Sequence, residues 1–401
     1  MNFESFELHP HVFAGIRRSQ YTEPTPIQAQ VIPKILEGRD VLGIAQTGTG
    51  KTAAFAIPIL QRLREGPRRG SRALVIVPTR ELAEQIHGSF VTLGRKVDVQ
   101  STPVYGGVGM QPQIDRLRNG KDIVVACPGR LLDHLERGTI DLSGVEVLVL
   151  DEADRMFDMG FLPDVRRIIS RLPKKRQSLL FSATMPEEVS ALAQKILRQP
   201  EVVRIDQETV AVTVSHELYP VSKGNKTDLL LRLLHHTDTR SVLVFTQTRH
   251  LARRLAGELE RAGHKAASLQ ADLTQRGRRA ALDGFRDERY KVLVATDIAA
   301  RGIDVPTISH VINYDMPATV EDYAHRIGRT GRACREGKAL SLVTPDDQEM
   351  VRAIEAVMSA TFERRATPGR IEPKGGKSPR ERRGPVGRRG ARARGRPSRR
   401  R

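Results

Sequence analysis

The stretch VEVLVLDEAD (145–154) joins a continuous apolar run to three acidic residues. The run contains β-branched residues and follows a glycine, so it predicts a short strand that is buried on both faces of a parallel sheet. Acidic side chains directly after such a strand lie at the sheet edge where ligands bind. Asp151, Glu152 and Asp154 could instead only begin the next helix, but a second stretch favours a ligand site.

That second stretch is AQTGTGKT (45–52), which follows the apolar run DVLGIA (40–45). It has the phosphate-loop pattern, with Ala45 at the position where a glycine is usual. Gly48 and Gly50 let the backbone curl so that its N–H groups point at phosphate oxygens, and the helix that begins there adds its dipole. The stretch therefore predicts a nucleotide site.

The two stretches together predict a site for ATP and Mg²⁺. Lys51 can reach the β- and γ-phosphates, and the Thr52 hydroxyl can coordinate the ion. Mg²⁺ prefers oxygen ligands and keeps several waters, so Asp151 is expected to hold it opposite Thr52. Glu152 is placed to orient and deprotonate the attacking water. Because in-line attack at the γ-phosphate needs positioning and charge neutralisation, the predicted reaction is hydrolysis of ATP.

Apolar runs alternate with helical segments along the chain, which predicts parallel sheets wrapped by helices. Residues 1–36 fit two short helices joined by a proline-containing turn. The first series of predicted strands comprises 40–45, 73–78, 122–126, 145–150 and 178–182. After a change of character near 206–214, the second series comprises 241–245, 265–270, 291–295, 310–314 and 339–343. We expect an α/β protein with two domains, residues 1–207 and 208–363, and a C-terminal tail, 364–401.

The net charge of this 401-residue chain is +19, and +14 of it lies in residues 364–401, where 16 Lys and Arg stand against two Glu. This segment has no aromatic residue and is rich in Gly and Pro, so it is expected to be disordered. It favours an arm that binds a polyanion, although it could serve only to keep the protein soluble. No apolar run reaches the roughly 18 residues that span a membrane, and no signal pattern begins the chain. We expect a soluble, cytoplasmic protein whose Cys127 and Cys334 are free thiols.

The two stretches belong to a longer series of short motifs. In chain order the series is Phe3, YTEPTPIQ (21–28), AQTGTGKT (45–52), PTREL (78–82), YGG (105–107), PGR (128–130), DEAD (151–154), SAT (182–184), VLVFTQT (242–248), QRGR (275–278), ATDIAARGID (295–304) and HRIGRTGR (325–332). On these motifs and their order the chain resembles the DEAD-box RNA helicases from Phe3 to near Met350. Within the family the chain looks most similar to the bacterial RhlE-type proteins. The resemblance implies two RecA-like domains and RNA-stimulated hydrolysis of ATP.

For the nucleotide, the resemblance implies that Gln28 reads the adenine edge, that Phe3 stacks on the base and that Asp304 bonds the ribose. Phe3 could instead anchor the first helix in the core, and Phe6 is a rival for the stacking role. The residues expected to hold ATP are Phe3, Gln28, Ala45, Gln46, Thr47, Gly48, Thr49, Gly50, Lys51, Thr52 and Asp304.

From the second domain, Arg329 and Arg332 resemble arginine fingers that meet the γ-phosphate when the domains close. A guanidinium suits charge that develops over several oxygens. The expected catalytic set is therefore Lys51, Asp151, Glu152, Arg329 and Arg332. The residues that resemble the family's coupling motifs, which link the nucleotide to domain closure, are Asp154, Ser182, Ala183, Thr184 and His325.

The RNA contacts that the resemblance implies go to sugar and phosphate, from Arg80, Gly107, Arg130, Arg278 and Thr296. Such contacts do not read sequence, and the 2′-hydroxyls let the site prefer RNA. The chain departs from the family pattern outside the catalytic set. Gln20 stands where a glycine is common, and Cys127 and the pair Gln270-Ala271 replace a threonine and a His-Gly pair.

The expected function is that of a monomeric ATP-dependent RNA helicase, which unwinds short duplexes locally or remodels RNA–protein complexes. A DNA-directed translocase is one rival, which the adenine motif and the DEAD spelling disfavour. An RNA-annealing or clamping protein driven by the basic tail is the other.

Overall fold

A computed structural model of the protein describes residues 2–46, 48–66, 70–205, 214–236, 241–270, 272–300, 308–331, 337–358 and 360–365. These described residues belong to one compact unit, which holds two sheets.

The first half of the chain builds a sheet of seven strands. They are β1 (Val41–Ile44), β2 (Ala73–Ile76), β3 (Ser101–Val104), β4 (Ile123–Ala126), β5 (Val147–Leu150), β6 (Gln177–Ser182) and β7 (Glu201–Arg204). All pairings are parallel, in the order β3-β4-β2-β5-β6-β1-β7. Because parallel strands end at one edge, the segments that follow the neighbouring strands β5, β6 and β1 meet there.

Helices cover both faces of this sheet. They are α1 (Pro10–Arg18), α2 (Pro26–Leu36), α3 (Lys51–Leu63), α4 (Arg80–Leu93), α5 (Met110–Arg118), α6 (Pro128–Glu136), α7 (Ala153–Asp158), α8 (Leu162–Ile169) and α9 (Glu187–Ile196), and a short 3-10 helix, Phe3–Phe6, precedes them. Side chains alternate between the faces of a strand, and those of β5 enter two different core clusters. Val147 and Val149 join one cluster, whereas Leu148 and Leu150 join the other. The prediction that this strand is buried on both faces is confirmed.

The second half repeats the plan. Its strands are β8 (Val214–Pro220), β9 (Val242–Phe245), β10 (Ala266–Leu269), β11 (Val292–Ala295), β12 (His310–Asn313), β13 (Gly337–Val343) and β14 (Glu363–Arg364). They are again parallel, in the order β10-β11-β9-β12-β13-β8-β14. Its helices are α10 (Lys226–His236), α11 (Arg249–Arg261), α12 (Gln275–Arg286), α13 (Asp297–Ala300), α14 (Val320–Ile327) and α15 (Gln348–Val357), with 3-10 helices at Lys223–Asn225 and Pro345–Asp347.

The expected α/β architecture of two helix-wrapped parallel sheets is confirmed, and each predicted apolar run overlaps a strand. The sequence patterns missed β3, β7, β8 and β14. The boundary between the domains, placed at 207 and 208, lies outside the described residues and stays a prediction.

The start of the predicted tail belongs to the second sheet. Glu363 and Arg364 pair with β8, and the Arg365 N–H donates to the Leu218 carbonyl at 2.9 Å. Residues 366–401, and with them the predicted disorder, lie outside the described residues. Within the described ranges, no helix combines the length and the apolar character needed to cross a membrane.

Candidate active site

The phosphate loop connects β1 to α3 at the ligand edge of the first sheet. Gly48 and Gly50 have φ values of 91° and 93°, in the left-handed region that favours glycine. A Cβ on Gly50 would lie 2.5 Å from the Gln28 Nε2 atom, so that position has no room for a side chain. Because α3 begins at Lys51, the free N–H groups of its first turn are available to an anion. Thr47 lies outside the described residues.

Lys51 crosses the mouth of this loop. Its side chain is buried, and its Nζ atom donates to the Ala45 carbonyl at 2.6 Å. The Thr49 hydroxyl donates to the Gln46 carbonyl at 2.8 Å and closes the same turn. An ammonium has three donors, so Lys51 can keep a loop contact and still bind phosphate oxygens.

Asp151 follows β5, and its N–H still donates to the Ile76 carbonyl of β2 at 3.0 Å. Burial raises the pKa of its carboxyl to about 6, with the Lys51 charge opposing the shift. A carboxyl that is buried this way gains from a nearby cation. The oxygen donors of Asp151 and Thr52 suit Mg²⁺, which takes few protein ligands beside water and phosphate. The described residues contain no cluster of three or more His, Cys, Asp or Glu that could hold a metal ion by themselves.

Glu152 adopts a left-handed backbone conformation, with φ 55° and ψ 52°, and caps the N-terminus of α7. Such a conformation is strained for a residue with a side chain, and strain of this kind clusters at functional sites. The carboxylate is buried and accepts a hydrogen bond from Arg155 Nη1 at 2.9 Å.

Asp154 joins the acidic stretch to the segment after β6. Its Oδ2 atom accepts from the Ala183 N–H at 3.1 Å, the Thr184 N–H at 2.8 Å and the Thr184 hydroxyl at 3.1 Å. Its own N–H donates to the Ser182 hydroxyl at 3.0 Å. Burial would raise the pKa of Asp154, but the Thr184 hydrogen bond, Lys51 and His325 outweigh it and hold this pKa below its usual range. Four of the five expected coupling residues thus form one network.

The glutamine of the adenine motif is held against the phosphate loop. Gln28 Nε2 donates to the Gly50 carbonyl at 3.1 Å, and Gln28 Oε1 accepts from the Thr25 N–H at 3.0 Å. The Thr25 hydroxyl in turn donates to the Thr49 carbonyl at 2.8 Å. The amide retains one further donor and one further lone pair, so its role in reading adenine stays a prediction.

The candidate stacking residues lie in the core. Phe3 is 2% exposed and Phe6 is 6% exposed, and their rings meet edge to face. The ring of Tyr21 stacks on Phe3 with centroids 6.4 Å apart. This packing shows Phe3 anchoring the start of the chain, and adenine stacking by Phe3 or Phe6 stays a prediction.

Residues of the second sheet reach this site through α14. His325 is half-buried, and burial together with the Arg155 charge lowers its pKa to about 4, although Asp154 acts in the opposite direction. Arg329 is 4% exposed, and its Nε atom donates to the His325 carbonyl at 3.3 Å. A cavity of about 150 Å³ separates the two sheets here, and its lining includes Gln46, Thr184 and His325. Arg332 and Asp304 lie outside the described residues.

Sequence reasoning missed Arg326, which lies three residues before Arg329, the first of the two expected arginine fingers. Its guanidinium holds both carboxylate oxygens of Asp297, at 2.6 and 2.7 Å, and also donates to Asn313 Oδ1 at 3.0 Å. Such a two-pronged pair fixes α14 against the second sheet. The motif HRIGRTGR contains three arginines, and only the fold shows that this one binds residues of the second domain itself.

The expected RNA-binding residues of the first domain form one surface. Arg80 and Gly107 touch, because a Cβ on Gly107, with φ 79°, would lie 2.0 Å from Arg80 Nη1. Arg130 Nη1 donates to the Val108 carbonyl at 3.1 Å. Thr296, from the second sheet, directly follows β11 and is half-buried.

Arg278, the fifth expected RNA contact, joins the two sheets. Its Nε atom donates to Glu81 Oε1 at 2.8 Å, and its Nη atoms donate to the Gln270 carbonyl at 3.4 Å and the Ala299 carbonyl at 3.3 Å. Beside it, Arg80 Nη1 donates to Gln275 Oε1 at 3.4 Å. Each of the three guanidinium nitrogens thus donates one hydrogen bond within the protein, and contact with RNA stays a prediction.

Comparison with known proteins agrees with this geometry. Residues 25–192 match the family described as DEAD/DEAH box helicase, and residues 225–334 match the helicase conserved C-terminal domain. The chain is 42% identical over 363 residues to an ATP-dependent RNA helicase DeaD of Buchnera aphidicola, covering 90% of this chain and 60% of that relative. It is 42% identical over 370 residues to the DEAD-box ATP-dependent RNA helicase CshA of Bacillus subtilis, covering 92% and 74%. Its structure is similar to that of S. cerevisiae Dbp5 bound to RNA and ADP BeF3, with a TM-score of 0.83, 32% identity and coverage of 91% and 96%.

Proposed function

Since this chain belongs to the family of DEAD-box ATP-dependent RNA helicases, we propose that it couples ATP binding and hydrolysis to local unwinding of RNA duplexes or to remodelling of RNA–protein complexes. The observation that carries this proposal is that one site draws on both RecA-like domains. The phosphate loop and acidic stretch of the first domain lie beside His325 and Arg329 of the second. The family relatives named above leave the predicted RhlE-type subgroup an open prediction.

For nucleotide binding, the loop N–H groups and Lys51 would bind the phosphates, and Gln28 would face the adenine. Thr52 and Asp151 would hold Mg²⁺, which when bound neutralises phosphate charge. The raised pKa of the buried Asp151 fits this assignment, because a cation favours the ionised carboxylate.

For hydrolysis, Glu152 would orient the attacking water and take its proton. Arg329 and Arg332 would meet charge that develops on the γ-phosphate. An arginine supplied from a second element stabilises such charge only once that element has docked. Hydrolysis would therefore depend on the second domain lying against the first.

RNA would provide the condition for that docking. In the related Dbp5 structure, RNA and ADP BeF3 are bound together. Arg80, Gly107 and Arg130 offer one surface in the first domain, and Thr296 adds a contact from the second. Closure over a single strand would then bend it and separate a short duplex locally.

The basic C-terminal segment supports one alternative, which is an RNA-annealing or clamping protein. Its charge of +14 could attract any RNA without the ATP site. Protein partners, a cytoplasmic location and a monomeric state stay predictions from the sequence.

The test compares short RNA and DNA duplexes with the full-length chain, recording ATP turnover and strand separation together. We expect RNA to stimulate turnover and the RNA duplex to separate only with ATP. Equal stimulation by DNA would instead favour the translocase, and strand joining without any ATP-dependent separation would favour the annealing protein. The Lys34→Ala variant, on the surface of α2, serves as a control that should match the wild type.

A further inference from the structure

Arg155 follows the acidic stretch directly and has no part in the mechanism above. It is 1% exposed and lies in the first turn of the short helix α7, where the neighbouring residues are buried as well. Its Nη1 atom donates to Glu152 Oε2 at 2.9 Å, and the side chains of both residues are almost completely buried. Its Nη2 atom is also buried but has no hydrogen-bond partner among the described residues.

The second domain provides the cover over Arg155. A cavity of about 20 Å³ lies beside the guanidinium, and every other residue that lines it belongs to the second domain: Phe245, Asp297, Ala300, Asp322, His325, Arg326 and Arg329. This volume is room for about one water molecule, which could accept a bond from Nη2. The Arg155 end of the ion pair is therefore shielded from solvent by residues that reach it only when the two domains are together.

Shielding changes what the ion pair can do. An ion pair in water is screened, and its side chains move freely. A buried pair with a short charge-assisted hydrogen bond holds its geometry. Glu152 already leaves β5 through a left-handed turn, so its carboxylate has few ways to point. Arg155 removes the remaining freedom at one carboxylate oxygen.

We propose that Arg155 is a positioning residue that aims the Glu152 carboxylate at the nucleotide site, and that docking of the second domain makes this aim rigid. The inference rests on the proposed role of Glu152 as the base. It gives domain closure a second consequence, because closure then both delivers Arg329 and fixes the base.

The test uses Arg155→Met, Arg155→Lys, Glu152→Gln and the double variant Arg155→Met/Glu152→Gln in the full-length chain. Arg167→Met is the matched control, since Arg167 pairs with Glu136 and Asp164 on the surface of the neighbouring helix α8. For each variant, kcat and KM for ATP are measured at saturating RNA, and thermal melting is recorded.

We expect Arg155→Met to lower kcat by about 10- to 100-fold, as small misplacements of catalytic groups do, with little change in KM. Arg155→Lys should recover part of the rate. The double variant should be no slower than Glu152→Gln alone, because Arg155 acts through the Glu152 carboxylate and that carboxylate is already removed. It should also melt above Arg155→Met, since it leaves no unpaired buried carboxylate.

Two results would overturn the proposal. One is a wild-type kcat for a folded Arg155→Met protein. The other is a double variant whose kcat lies below that of Glu152→Gln by the same factor by which Arg155→Met lowers the kcat of the wild type. Normal turnover by Glu152→Gln itself would instead remove the base assignment, and this inference with it.

Discussion

Lys51 places a buried ammonium at the mouth of the phosphate loop, where its contact with the Ala45 carbonyl is 2.6 Å long. We predict that Lys51→Ala lowers ATP turnover by about 10²–10³-fold, the usual loss for one preorganised electrostatic contact. The measurement is steady-state ATPase at saturating RNA, with Lys34→Ala as the control. Near-normal turnover of a folded Lys51→Ala protein would contradict the assignment of the nucleotide site.

The burial of His216 in β8 predicts that the stability of the protein depends on pH. It stacks on Phe362 with ring centroids 4.6 Å apart, and its Nδ1 atom lies 2.9 Å from the Tyr323 hydroxyl. Burial lowers its pKa from 6.5 to about 4. Between these pH values His216 is protonated in the unfolded chain but neutral in the folded chain. The free energy of unfolding therefore decreases as the pH falls through that range.

The melting temperature of the wild type should therefore drop more between pH 6.5 and 4 than that of His216→Gln. Thermal melting at several pH values measures this, and His250→Gln on the exposed face of α11 is the control. Parallel pH curves for the wild type and His216→Gln would show that His216 does not titrate in this way.

Helix α1 ends in a turn that the family pattern usually gives to glycine. The Gln20 N–H donates to the Arg17 carbonyl at 3.0 Å and the Tyr21 N–H to the Ile16 carbonyl at 3.3 Å, which is the Schellman arrangement. Gln20 accordingly has φ 57°. Gln20 in place of the usual glycine thus leaves the turn intact but strains its backbone.

We predict that Gln20→Gly raises the free energy of unfolding by about 1 kcal/mol, because a left-handed conformation costs an L-residue about 1–2 kcal/mol. Gln20→Ala keeps the strain and should match the wild type, since the Gln20 side chain is exposed. Urea unfolding measures both variants. A glycine variant no more stable than the alanine variant would mean that the turn carries no such strain.

Among the elements, apolar runs predicted all the central strands and the edge strand β10, and the four strands that they missed lie at or next to a sheet edge. β3 contains a proline, and β7 carries Glu201 and Arg204 beside a Val202 that is 52% exposed. Edge strands bury less surface, so their sequences lack a continuous apolar run.

The site was predictable where its residues are neighbours in sequence, as in the phosphate loop and the acidic stretch. Contacts between distant elements were not. The bond of Arg278 to Glu81 joins positions 197 residues apart. The use of Arg155 depends on which residues of the second domain cover it, and no local pattern contains that information.

At the scale of the whole molecule, the basic segment predicts a salt effect. Residues 366–401 contain 14 Lys and Arg and no aromatic residue, so they can attract phosphates but cannot stack on bases. A truncation after Arg365 keeps the strand pairing of Glu363 and Arg364 with β8. It should weaken RNA binding at low salt and leave turnover at saturating RNA nearly unchanged.

The measurement is RNA affinity at three or more salt concentrations for both chains. Each single-strand phosphate neutralised contributes about −0.7 to the slope of log K against log salt, so truncation should flatten the slope. Identical slopes would mean that the segment serves only to keep the protein soluble.

The central claim is that ATP and RNA together bring the two domains into the arrangement that completes the active site. The measurement is fluorescence energy transfer between two dyes, which reports the distance between the domains. The dyes are attached to cysteines introduced at Val91 in α4 and Glu260 in α11, after Cys127 and Cys334 are replaced by serine. Transfer should change only when ATP and RNA are both present, and Glu152→Gln should prolong the changed state because hydrolysis is slow. A full change with either ligand alone, or no change with both, would contradict the account.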